Sequence, residues 1–142
     1  MNKNIFVFII SLPLLLLADE DQEINSFIMG FGSCLDEKRP QEIWKPLERE
    51  NLNAFFFMGD NVYGDTESGE LNKMESSYKQ QEKNLPLWLK KLKPMAIWDD
   101  HDYGLNDAGK DYPFKSRSQE LFLKFWNINK DDPRQTREGI YF

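Results

Sequence analysis

Residues 96–112, Ala-Ile-Trp-Asp-Asp-His-Asp-Tyr-Gly-Leu-Asn-Asp-Ala-Gly-Lys-Asp-Tyr, end an apolar run in three carboxylates around His101, the only histidine of the chain. Asp99, Asp100 and Asp102 repel one another if merely crowded at a strand end. A positive charge relieves that repulsion, and a metal ion is the simplest one. The competing reading is a solvated acidic turn, since Asp, Asn and Gly all favour loops. Two further segments hold side chains of the same kind, Gly32-Ser-Cys34 and Gly59-Asp-Asn-Val-Tyr-Gly-Asp65. Asp60 and Tyr63 lie three residues apart, so a tight turn aims both oxygens at one ion. A phenolate suits a hard, highly charged ion such as ferric iron, and a thiolate at Cys34 favours a transition metal over an alkaline-earth one. Carboxylates at Asp60 and Asp100 add a bridge or a second ion.

These segments need elements that bring them together. After residue 25 the pattern alternates strand-like and helix-like stretches, which predicts an α/β architecture with a largely parallel sheet. Strands are expected over residues 26–32, 53–58 and 94–98. The run Asn53-Ala-Phe-Phe-Phe-Met58 is continuously apolar, the mark of a strand covered on both faces. Helices are expected over residues 41–51, over 68–92 in two pieces broken near Pro86, and over 116–127 with Ser116 or Ser118 as cap. Gly139-Ile-Tyr-Phe142 reads as the start of another strand. Each of the three polar segments follows a predicted strand. In parallel α/β sheets ligands bind beyond the carboxyl ends of the strands, so the three loops are expected to converge.

Composition bounds the rest. The chain has 142 residues, enough for one domain with a core. A net charge of −6 argues against a basic nucleic-acid-binding face. Lys3 precedes an apolar stretch from Ile5 to Leu17, short for a membrane span and suited to a secretory leader ending at Ala18. Residues 1–18 are read as a signal peptide and 19–142 as the mature domain, secreted or periplasmic. The alternative is an uncleaved membrane anchor. A lone cysteine in an exported chain is buried and inert, paired between molecules, or a ligand.

Gly-Ser-Cys, Gly-Asp-Asn-Val-Tyr-Gly-Asp and Trp-Asp-Asp-His-Asp-Tyr-Gly-Leu-Asn-Asp-Ala-Gly, in this order and spacing, resemble the alkaline phosphatase D (PhoD-like) family of calcineurin-like metallophosphoesterases. The likeness covers residues 27–142. It implies the N-terminal half of a four-layer α-β-β-α sandwich, and a chain that family members extend with further strands and ligands, so that these residues alone are poorly stable and weakly active or inactive. It also implies metal-dependent hydrolysis of phosphate esters at a dimetal centre of iron(III) with calcium or another divalent ion. Asp60 bridges the metals in that reading, Tyr63 and Cys34 bind iron, and Asp100 holds the second metal. His101 contacts the phosphoryl oxygens or protonates the leaving group. Asn61, with weaker support Asn106 and Lys115, contacts phosphate, while Asp99, Asp102 and Asp107 orient ligands or form turns. The implied partner is a small phosphate ester met by a monomer, with membrane contact only through the leader. Two other readings remain, a secreted metal-binding domain without catalysis and a glycoside hydrolase. Paired acids on one loop rarely flank a sugar bond at the separation glycoside hydrolysis requires.

Overall fold

A computed structural model describes residues 7–12 and 26–141, the first of these spans by its backbone alone. The remainder of the expected leader, including Ala18, lies outside the described residues, as does Phe142. One mixed α/β unit results. Four strands lie in the order β1 (Val7–Leu12), β2 (Phe27–Gly32), β3 (Ala54–Met58) and β4 (Met95–Ile97). The last three run parallel, as the alternating pattern predicts, while β1 pairs antiparallel with β2 from Val7↔Gly32 to Leu12↔Phe27.

Register decides which side chains share a face. Phe57 pairs with Ala96, and both point into the core with Phe55, exposed 5% or less. The alternate positions, Met29, Phe31, Ala54, Phe56, Met95 and Ile97, are only half-buried, and Met58 is 45% exposed. Phe31 and Phe56 stack on this second face with ring centroids 5.3 Å apart. The expectation that β3 is covered on both faces is therefore not met. Among the described residues, helices pack on one face alone, and the other is apolar and half-open.

The covered face is built by α1 (Trp44–Glu48), α3 (Leu87–Leu92) and α5 (Lys115–Phe125), whose Trp44, Leu47, Leu89, Phe122 and Leu123 join Phe55 and Phe57 in the main core. A smaller cluster of Val62, Leu71, Met74, Tyr78 and Leu121 seats α2 (Asn72–Asn84) against the loop after β3. The break at Pro86 falls where predicted, as the extended residue that opens α3. The first helix is shorter than expected. Pro46 has no N–H to continue the ladder, so turns from Gln41, Glu42 and Pro46 carbonyls flank it instead. Ser118 does not cap α5. It is buried within the helix and donates to the Tyr103 carbonyl. Ile140 forms no strand. Gly139, at φ 95°, turns the chain and Ile140 sinks into the main core.

Candidate metal centre

Three loops leave the carboxyl ends of β2, β3 and β4, and they meet. Cys34 N donates to the Gly59 carbonyl at 3.3 Å and Leu35 N to the Asp60 carbonyl at 2.9 Å, which laces the first loop to the second. Asn61 N and Nδ2 both donate to Asp102, at 3.0 Å for the closest contact of each, and so join the second loop to the third. The third loop is not irregular, as its turn-forming residues predict. Asp100–Tyr103 forms a one-turn helix, α4, because Asp99 and Asp102 cap it reciprocally.

Two adjacent residues carry the sharpest turn. Gly59 (φ 96°) and Asp60 (φ 52°) are both left-handed, and a Cβ on Gly59 would stand 2.5 Å from Asp99 Cβ. Only glycine fits that approach. Cys34 is left-handed as well, at φ 60°. Strained backbone of this kind persists where surrounding contacts over-determine it, and it collects at functional sites.

The turn aims side chains at one point. Tyr63 Oη donates to Asp60 Oδ2 at 2.9 Å, and the Cys34 thiol approaches the same oxygen at 3.5 Å. Ligand atoms of Asp60, Asp100 and His101 all lie within 4.8 Å of one another. Asp60 Oδ1 is buried and has no hydrogen-bond donor. A cation fits this set. The phenol and thiol each offer Asp60 a proton that a metal ion displaces on binding, and Asp60 Oδ1 lacks the positive partner that a buried carboxylate requires. All four residues expected to bind metal, Cys34, Asp60, Tyr63 and Asp100, are thus gathered. His101, expected to face phosphate alone, is equally within ligand reach.

Electrostatics follow from burial. Burial pushes the Asp60 carboxyl above its ordinary value, helped by the Asp100 charge and opposed by the Tyr63 hydroxyl and His101. Burial acts on Asp100 too, but N–H groups of Asp107 and His101, at 2.6 and 2.8 Å, bring it below the ordinary value. The Tyr63 phenol is pushed far up by burial and by the carboxylate it donates to.

His101 is held from behind. Its Nδ1 lies 2.6 Å from Asp65 Oδ2 and its ring packs 4.3 Å from that of Tyr63, centroid to centroid. A carboxylate partner assigns the proton to Nδ1. Asp65 stands in a motif legible in the sequence, but its partner is 36 residues away and no local pattern announces it. Asp102 is fully buried, accepts from Asn61, from Asp99 N and from Tyr78 Oη, and is pushed by burial up to about 7. Its bonds tie the second loop to the start of α4 and to α2. Asn61 is 1% exposed and spends its amide on the Ile97 carbonyl and Asp102, so it braces the loops where phosphate contact was expected. Asn106 bonds Asp107, and Lys115 bonds the Lys110 carbonyl and Glu138, so neither amide nor ammonium is directed at the cluster. Lys38 and Lys73 donate to the carbonyls of Tyr63 and Asp65. They pin the motif loop by its backbone.

A groove of about 600 Å³ lies between α3, β4 and α5, but none of the clustered residues lines it. Comparison with protein-family models, with curated proteins and with solved structures found no match for this chain.

Proposed function

We propose that the chain carries a metal-dependent phosphate-ester hydrolase site of the PhoD-like kind. One observation carries the reading. Cys34, Asp60, Tyr63, Asp100 and His101, from three separate loops, gather at the carboxyl end of a parallel sheet around the Asp60 carboxylate, whose Oδ2 receives the phenol and thiol while Oδ1 has no donor. Iron(III) suits the thiolate–phenolate–carboxylate side of the cluster, and calcium or another divalent ion suits Asp100. Bound there, such metals polarise phosphoryl oxygens and lower the pKa of a water.

The chain's own residues do the rest. Asp60 holds the shared position, fixed by its left-handed backbone and by Leu35 N on its carbonyl. Asp65 keeps the proton on Nδ1 of His101, so Nε2 is the atom that meets the phosphoryl group and passes a proton to the leaving oxygen. The half-open apolar sheet face supports the view that this unit is one half of a β-on-β sandwich.

Aryl phosphate mono- and diesters, offered to protein loaded with iron and calcium, test the reading. Asp60→Asn is expected to lose bound iron and at least about a hundredfold in phosphate release, with its circular dichroism unchanged. Undiminished release by the folded variant, or no metal uptake by the parent protein, refutes it. Iron uptake without turnover reduces the reading to metal binding.

A further inference from the structure

Gln81 lies in the last turn of α2, far in sequence from every residue of the cluster, and is 1% exposed. Its Nε2 donates to two carbonyls, Asn61 O at 3.0 Å and Leu35 O at 3.3 Å. Its Oε1 accepts from Gln41 Nε2 at 2.6 Å, and Gln41 Oε1 accepts from the Trp44 indole. That chain of bonds fixes which way the Gln81 amide faces. Leu35 follows Cys34, and Asn61 follows Asp60. We propose that Gln81 is a positioning residue whose buried amide clips the Cys34 loop to the Asp60 loop and sets the separation of thiol and carboxylate in the candidate metal centre.

The argument is one of satisfaction. Leu35 O and Asn61 O lie on neighbouring loops and point to the same side, and α2 supplies the donor between them. Without it two buried carbonyls lose a partner, at the cost of an unmade bond. At the seam itself the Cys34 N to Gly59 O and Leu35 N to Asp60 O bonds are then the backbone ties that remain, with the Lys38 and Glu37 contacts to Tyr63 further along the loops. Two residues with left-handed backbone, Cys34 and Asp60, sit on either side of that seam and relax first.

The metal part of this inference rests on the reading above, but the clip does not, and the test separates them. In the metal-free full chain, Gln81→Leu keeps the side-chain volume and removes the donor. Amide hydrogen exchange at Cys34 and Leu35 is expected to quicken by about tenfold or more, with Phe55 and Phe57 unchanged. Gln81→Glu sets an acceptor against both carbonyls and is expected to do at least as much. Unaltered exchange at Cys34 and Leu35 in either folded variant overturns the clip. Should Gln81→Leu not fold, Gln41→Leu, which frees the amide to rotate, carries the same test in the same direction.

Cobalt(II) then reads the thiol. The parent protein is expected to show a thiolate-to-cobalt absorption band that Cys34→Ser removes, and Gln81→Leu to bind cobalt with that band at half strength or less. Full strength overturns the role of the clip in the metal centre. A parent protein without the band overturns Cys34 as ligand, and the exchange data still decide whether the loops are clipped.

Discussion

Glu37 is a carboxylate with almost no solvent, its side chain 1% exposed, beside the candidate metal centre. It accepts from Tyr63 N at 2.9 Å and has Lys38 Nζ at 3.2 Å. Burial alone would raise its pKa, but hydrogen bonds from Ser77 and Tyr63 N outweigh it and leave the group below its ordinary 4.5. The sign follows from linkage. A carboxyl lowered by folding stabilises the native state above its unfolded pKa, and that stability is lost as pH falls through the folded value. Denaturant midpoints followed from about pH 6 to about pH 3 should therefore fall less steeply for Glu37→Gln than for the parent protein. Parallel curves would show that Glu37 contributes nothing to acid sensitivity. At this scale the sequence was legible for residue type and opaque for partners. Cys34, Asp60, Tyr63, Asp100 and His101 were readable because chemistry selects their kinds and strand ends place them. Glu37, Asp65 and Gln81 were not, since each acts through a partner 20 or more residues away that no period connects.

Elements carry the site by how closely they approach one another. Helix α2 lies directly against the motif loop, and a Cβ on Gly64 would stand 2.4 Å from Met74 Cα and 2.8 Å from its nitrogen. Backbone cannot step aside as a flexible side chain does. Gly64→Ala is expected to cost about 1–3 kcal/mol, seen as a lowered thermal midpoint. An unchanged midpoint would show that α2 is free to shift from the loop. Helix existence was largely legible here, since apolar spacing and Pro86 mark α2, α3 and α5. Helix α4 was not, because its signal is a reciprocal cap between Asp99 and Asp102, two residues that equally suit an acidic turn.

Among the described residues, the molecule divides its sheet into a packed face stapled by helices and a half-open one. Apolar runs in sequence do not reveal that division. Phe55 and Phe57 differ from Phe56 only by register, which is a property of pairing with β2 and β4. Parallel order among β2, β3 and β4 was legible in the alternation of elements, whereas the antiparallel β1 falls on the segment read from its composition as a leader.

Asp60 gives this arrangement a consequence for stability. Its carboxyl is buried, raised by that burial and by Asp100, and mounted on left-handed backbone. A raised carboxyl favours the folded state only while it is protonated, so near neutral pH the metal-free protein carries it as a burden. Asparagine keeps an oxygen for Tyr63 and tolerates the same backbone. Metal-free Asp60→Asn is thus expected to melt a few degrees above the parent at pH 7, with the gap narrowing in acid, and a lower midpoint would contradict this. With the proposed cation bound there, the parent, unlike the variant, would gain stability with each tenfold rise in free cation above its Kd. On the proposed reading its melting temperature would be a gauge of metal supply, lowest where the ion is scarce.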